Sequence, residues 1–397
     1  MHFLFIAIAP PYPANVGQRM RNWAILNALH SDRHHVDLLA FAEAQESRFA
    51  PRELREICGS AVYISGPRAH SISEIAGRLI TLFRGLPFGV WRMRSAQMRA
   101  TVAGALKSRH YDYIIVDEIY QRINVPVSRV PVLLNKDGLV SEIMDRHIER
   151  ESSIVRRIYA KLECERVKKW ESRSCADASA VLACSQRDAE TIRSRAPSSR
   201  TFVVPNAVDV SFYRCEAQDD DKTVLFVGAM DWMPNEDAVA FFAEQIWPKV
   251  QASVPDARFV VAGRNPRESF VRRYRHLANV YFTNAVKDIR PFIANAAVSI
   301  VPLRTGSGTR MKILEAAAMG KAIVSTTIGA EGLNFLTGEE IEIADDPEAF
   351  AAAVKRFLSD RSRRQAFGVK AQHRVVREHS LEVLRESFRA VFSELAR

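Results

Sequence analysis

Apolar and polar positions follow two rhythms along this chain. Short, mostly apolar runs occur at 3–9, 36–41, 113–116, 130–134 and 180–183, and again at 223–227, 259–262, 280–283, 298–303 and 322–326, with a further strand placed at 340–343. Runs of this length predict strands buried on both faces. Between them lie stretches with helical spacing. In 19–30 the residues Trp23, Leu26 and Leu29 recur at that spacing, and further helices are predicted at 149–174, 235–251, 266–276, 289–295, 311–319, 347–359, 361–379 and 381–397. Ser185, with Asp188 in the turn that follows, predicts a capped helix start. Strands alternating with helices predict an α/β fold with parallel, doubly wound sheets. A chain of 397 residues exceeds one ordinary core, so two domains are expected.

One stretch, 298–333, concentrates the candidate chemistry. A buried strand leads into Arg304-Thr305-Gly306-Ser307-Gly308-Thr309, then a helix opens with Arg310-Met311-Lys312 and carries Glu315. A helix start offers free backbone N–H groups and a dipole that favours anions. Arg304, Arg310 and Lys312 lie beside that point, and Glu315 lies three residues from Lys312 on the same helix face. Two glycines in a turn are common, and Lys312 with Glu315 is also what a surface ion pair looks like. The combination favours a site, because all of it gathers at the C-terminal end of one strand, where open α/β sheets bind ligands. A phosphate at the loop and a hydroxyl-bearing group at Glu315 satisfy every one of these features.

Charge and cysteine usage narrow the class. The net charge is +10, which suggests an acidic partner such as a nucleotide or an anionic membrane. Residues 68–109 hold eight basic residues against one acid, Glu74, a local net of +7, with Phe83, Phe88 and Trp91 among them. Such a stretch reads either as an anionic-membrane surface or as a helix pair packed on the core. No nucleic-acid motif accompanies it. The five cysteines form no C-x-x-C pair, which suits a reducing compartment and buried free thiols. The apolar start ends in Pro10-Pro11-Tyr12-Pro13 and reads as a strand and turn, not a leader. A cytoplasmic protein, able to lie on the inner face of the plasma membrane, is expected. No His/Cys/Asp/Glu grouping has metal-ligand spacing, so neither metal nor cofactor is expected.

The run Pro302-Leu303-Arg304-x-Gly306-x-Gly308-x-x-x-Lys312-x-x-Glu315-Ala316, then Gly320-Lys321 and Ser325-Thr326-Thr327-x-Gly329-x-Glu331-Gly332-Leu333, resembles the donor site of retaining glycosyltransferases of family 4. Within that family the chain most resembles the bacterial exopolysaccharide-associated sugar transferases. Pro205-Asn206-Ala207-Val208-Asp209 resembles the family's hinge, with Ala207 where glycine is usual. The resemblance implies a GT-B fold of two facing Rossmann-like domains. Residues 1–207 would form an acceptor-side domain and 208–378 a donor domain, with 379–397 a helix crossing back. It implies a UDP- or GDP-sugar donor held by Gly17, Gly228, Arg264, Arg304, Gly306, Ser307, Gly308, Thr309, Arg310, Lys312 and Glu315. Glu315 would take the ribose hydroxyls, and backbone near Ala285 and Val286 the base. Asp137, where the family often has histidine, would contact the sugar or orient a hydroxyl of a saccharide or lipid-linked acceptor. It also reads as a turn residue before Gly138.

Three departures stand out. The family's paired glycines after the first strand are reduced to Gly17, with Asn15 able to adopt the left-handed conformation. Arg19 beside them reads equally as a phosphate contact or a solvated side chain. The family's first glutamate is replaced by Ser307, and 230–235 lacks its basic pair. A catalytically silent sugar-nucleotide-binding protein is therefore the competing reading. A dehydrogenase ranks last, since no G-x-G-x-x-G follows the first strand.

Overall fold

The computed structural model describes residues 1–42, 50–66, 77–78, 80–81, 85–214 and 220–397. They form two compact units. The first comprises Met1–Pro205 with Leu384–Arg397, the second Asn206–Val383.

In the first unit seven parallel strands follow one another as β1 His2–Ala7, β2 His35–Ala42, β3 Ser60–Ser65, β4 Tyr113–Asp117, β5 Val132–Lys136, β6 Ala180–Ala183 and β7 Thr201–Val203. Their order in the sheet is β3-β2-β1-β4-β5-β6-β7. The direction of winding reverses between β1 and β4, the point where such sheets open a crevice. After His2, β1 is wholly apolar, and Phe3, Leu4, Phe5, Ile6 and Ala7 are all fully buried. Each large side chain buried this way contributes about 1.5–3 kcal/mol. The last helix, Leu381–Leu395, completes this unit. Its Phe392 ring lies 5.2 Å from Phe3 and 5.6 Å from Tyr113, and Arg385 and Arg389 both reach Asp32 at 2.7 Å.

The second unit holds β8 Thr223–Val227, β9 Arg258–Ala262, β10 Val280–Phe282, β11 Val298–Val301, β12 Ala322–Ser325 and β13 Glu342–Ile343. They are parallel in the order β10-β9-β8-β11-β12-β13, reversing between β8 and β11. The helix expected over 235–251 is continuous but not uniform. Met233–Phe241 passes through a π-helical stretch, Phe242–Ile246, into Trp247–Ser253. Pro248 has no N–H to return to the carbonyl four residues back, so the preceding turn widens.

Several boundaries depart from the sequence expectations. The strand placed at 130–134 runs Val132–Lys136, because Pro131 cannot donate to the ladder. Asn135 and Lys136 are thus inside the sheet and buried. The helix expected over 149–174 is two helices, Val140–Arg150 and Ile154–Ala176, interrupted where the Glu151 side chain accepts from the Ser153 backbone N–H at 2.9 Å. Its face is not wholly solvated, since Glu163 and Glu171 are buried. β3 and β7 are edge strands with half-exposed patterns, and for that reason have no continuous apolar signature. Within 68–109, Arg68, Ile72, Glu74, Ile75, Leu79, Leu82, Phe83 and Arg84 lie outside the described residues. The described aromatics pack inside the unit. Phe88 stacks on Trp91 at 5.9 Å, and Arg78 lies 4.6 Å over Phe88.

The helix Arg361–Glu378 presses against the turn before β12, and it can do so only through Gly368. A Cβ there would stand 1.8 Å from the Gly320 carbonyl oxygen. Gly368→Ala should therefore destabilise the chain by about 1–3 kcal/mol. Urea unfolding should show a lower midpoint with an unchanged slope.

Candidate functional site

In the second unit the C-terminal ends of β8, β9 and β11 supply the candidate residues. The Gly228 N–H donates to the Ala262 carbonyl at 3.0 Å, and a Cβ on Gly263 would overlap the Gly228 carbonyl. Above Gly228 stands Lys312. Its Nζ donates to Asn235 Oδ1 at 2.9 Å and lies 4.1 Å from the Phe226 ring centroid. A Cβ on Gly228 would come within 2.9 Å of that Nζ, so glycine is what leaves the ammonium its room. Among the described residues no carboxylate pairs with Lys312 directly. Burial, reinforced by the Arg310 charge, pushes its pKa down to about 7, while Glu315 works the other way.

Glu315 is buried on the same helix, Met311–Ala318, and accepts the Tyr213 hydroxyl at 2.7 Å. Burial raises its pKa above the usual carboxylate range, against the Tyr213 hydrogen bond and the Lys312 charge. Tyr213 and Asn235 are site neighbours that the sequence did not single out. Nothing in local spacing marks either, because each partner is far along the chain.

Two of the three expected cations have other partners. Arg304 grips Asp237 with Nε at 3.0 Å and Nη2 at 2.5 Å, and lies 4.6 Å over the Phe241 ring. Arg310 turns its guanidinium under the glycine loop, donating to the Ser307 and Gly308 carbonyls and, at 3.3 Å, to that of Ile328. Gly306 and Gly308 have φ of 141° and 74°, conformations that side chains rarely adopt. Arg310 thus supports the loop from within. Thr309 Oγ1 accepts from Asn206 Nδ2 at 2.7 Å, tying the loop to the start of the unit. Arg264 lies 3.8 Å from Asp231.

In the first unit, Gly17 is the first residue of the helix Gly17–Ser31 and not part of a tight turn, and Asn15 has ordinary backbone geometry. The helix turns Gln18 and Asn22 onto the end of β4. There Asp117 Oδ2 accepts from Gln18 at 3.1 Å, Asn22 at 2.8 Å and the Ile8 N–H at 3.0 Å. Asp117 Oδ1 is buried with no hydrogen-bond partner among the described residues. Burial pushes the Asp117 pKa up to about 7 despite these donors, and the Glu118 charge adds to the rise.

Asp137 follows β5, and Gly138 after it has φ 138°, which fits the Asp-Gly turn. The turn is held by buried charges. Lys136 Nζ bridges Glu118 at 2.6 Å and Glu171 at 3.0 Å. Glu118 Oε1 accepts the Asp137 N–H at 2.7 Å, and Glu171 accepts the Val140 N–H at 3.1 Å and the Ser141 hydroxyl at 2.6 Å. Burial opposes the charge on Lys136, but the two carboxylates outweigh it and hold the ammonium above its ordinary range. Glu118 takes a left-handed φ of 63°, rare for a side chain of its kind. Among the described residues no group of three or more His, Cys, Asp or Glu could hold a metal ion, and no helix is long and apolar enough to cross a membrane.

Residues 221–360 match the family described as Glycosyl transferases group 1. Over 359 residues the chain is 24% identical to an "Uncharacterized 44.6 kDa protein in cps region" of Klebsiella pneumoniae, covering 86% of this chain and 87% of that one. It is similar in structure to sucrose-phosphate synthase from Thermosynechococcus elongatus, with a TM-score of 0.74 and 18% identity over 100% of this chain and 99% of the other. It is also similar to Anabaena HepE in complex with UDP and glucose, with a TM-score of 0.64 and 14% identity over 98% and 99% of the two chains. These likenesses show the fold: two α/β domains with parallel sheets of seven and six strands, as in GT-B glycosyltransferases.

The Lys136 bridge yields a prediction independent of activity. Lys136→Met leaves Glu118 buried without its cation and Glu171 with only Arg195, 3.9 Å away, and should cost about 3–5 kcal/mol. Adding Glu118→Gln and Glu171→Gln to the same chain should recover part of the loss. Thermal unfolding of the single and triple variants checks both.

Proposed function

We propose that the chain is a glycosyltransferase that moves a sugar from a UDP- or GDP-sugar to a saccharide acceptor, with retention at the transferred carbon. One observation carries this reading. Lys312, half-buried against Asn235 and the Phe226 ring and without a paired carboxylate among the described residues, stands three residues from buried Glu315 on the helix that follows β11, inside the segment that matches the group 1 family. An ammonium in that state gains from a diphosphate, and a carboxylate gains from ribose hydroxyls, which donate two hydrogen bonds at once. When the bond from the sugar to the diphosphate breaks, the electron pair leaves with the phosphate. Lys312 and the start of the helix Met311–Ala318 offset that charge. Asp137 is the first unit's candidate for the acceptor hydroxyl. The UDP and glucose named with HepE support the donor class, and the cps-region relative supports a role in surface polysaccharide synthesis. The acceptor is then lipid-linked, and the enzyme works at the inner face of the plasma membrane.

The engagement of Arg304 with Asp237 and of Arg310 with the loop carbonyls favours one alternative: a silent protein that binds the donor and does not turn it over. Incubation with UDP- and GDP-sugars separates the two, because a ligand raises thermal stability whether or not it reacts. In the enzyme, one of these donors also releases its nucleoside diphosphate. Glu315→Ala should weaken donor binding by about 2–3 kcal/mol and leave the fold intact. Unchanged donor binding in this variant would remove the site assignment.

Lys312 also gives donor binding a pH signature. The free lysine is half neutral near pH 7, its value being held at about 7 by burial. A diphosphate beside it favours the ammonium, so the pKa rises on binding. Above pH 7 binding must then take up a proton, and affinity should fall by up to roughly tenfold per pH unit. Titration calorimetry of UDP binding at pH 8 in buffers of different ionisation enthalpy should detect this uptake in the native chain. Lys312→Met should abolish it.

A further inference from the structure

We infer that the outward face of the helix Ile154–Ala176 is a docking surface for an anionic lipid bilayer. The inward face of this helix is already occupied, by Glu163, Cys164, Val167, Glu171, Ser174 and Cys175. The opposite face carries aliphatic side chains in water. Ile154 is 65% exposed, Val155 78%, Ile158 56% and Leu162 51%. At 3.6 residues per turn these four fall within about 100° of the circumference, a stripe as wide as those that helices normally bury. Packing among the described residues therefore does not account for them. A contiguous exposed patch of this kind marks a contact surface.

The charges beside the stripe select the occupant. Arg157 and Lys161 are both exposed, and no acid occurs between Ser152 and Leu162. Arg157 and Lys161 form an i,i+4 row along the apolar edge. A second copy docked symmetrically here would bring these rows together, in a chain whose net charge is already +10. An anionic bilayer accepts both features, the aliphatic groups at the acyl boundary and the cations among the headgroups. The inference gives the lipid-linked acceptor proposed above a place on the molecule, and it moves the membrane contact away from 68–109. There the described Phe88, Trp91 and Arg78 are already stacked on one another, and Arg78 Nη1 donates to the Tyr159 hydroxyl at 3.0 Å.

The test is flotation of the full chain with phosphatidylglycerol–phosphatidylcholine vesicles and with phosphatidylcholine vesicles alone. Binding to the anionic vesicles, little to the neutral ones, and release by salt are expected. Arg157→Glu and Lys161→Glu together should lower the partition coefficient about 25-fold, at roughly fivefold or more per charge. Serine at 154, 155, 158 and 162 should lower it at least about tenfold and leave the melting temperature and UDP binding unchanged. Arg92→Glu with Arg94→Glu should have little effect. The inference is overturned by equal flotation with both vesicle types, by none with either, or by loss of binding confined to the Arg92 and Arg94 variant. It is equally overturned if the serine variant melts earlier or dissolves a dimer seen by light scattering, since the stripe would then be covered by protein. Flotation requires no turnover, so its failure leaves the donor reading standing.

Discussion

Parallel pairing is the constraint from which the rest of this molecule follows. Two parallel strands cannot be joined by a hairpin, so each connection must return the chain to the starting edge, usually as a helix. Helices then cover both faces, and the strands read as unbroken apolar runs such as Phe3 to Ala7 or Val224 to Val227. With the faces sealed, polar chemistry has one place to go, the edge where all strands end together. Asp117 and Lys136 are terminal strand residues in the first unit. Gly228 and the glycine loop follow β8 and β11 in the second. In both sheets the winding reverses beside these groups, between β1 and β4 and between β8 and β11. Neighbouring connections diverge there and leave the edge open.

The same constraint sets what a sequence can reveal. Central strands were legible because burial on both faces leaves one kind of residue to use. The edges β3 and β7 were not, since exposure on one side breaks the run. The shift of β5 by two residues had a larger consequence. It carried Asn135 and Lys136 from a presumed loop into the sheet, and a lysine in a parallel sheet must find carboxylates. Glu118 and Glu171 serve, but they stand 18 and 35 residues away, beyond any periodicity.

In the second unit the loop, the helix and Glu315 were legible as a local pattern, because one strand–loop–helix segment holds them all. The partners were not. Asp237 reaches Arg304 across 67 residues and Tyr213 reaches Glu315 across 102. Three cations that look equivalent in sequence therefore have three different fates. Arg304 is neutralised by a carboxylate, and its planar fork suits that bidentate pairing. Arg310 is spent on carbonyls beneath Gly306 and Gly308. Only Lys312 keeps a charge that the described residues do not pair.

Two lysines, Lys136 buried and Lys312 half-buried, show why that difference matters. Lys136 lies between two carboxylates, and its pKa is driven above the ordinary lysine range although burial opposes the charge. Its site is complete, and a ligand would have nothing to add. Lys312 has an amide oxygen and an aromatic face, neither of which supplies a full negative charge, and its pKa falls to about 7. A fold that needed only to fill this space would gain by placing an apolar side chain there, since a buried charge costs free energy unless it is paired. A lysine held in this state makes physical sense when the missing charge arrives from outside, as it does with a diphosphate. The cost of burying the ammonium is then an investment in binding, and it is offset only in the complex. Glu315 fits the same logic from the opposite sign, raised by burial and satisfied on one oxygen by Tyr213. The pair is unsettled in the isolated chain in a way that the Lys136 cluster is not, and that asymmetry separates a group that holds the fold from one that waits for a ligand.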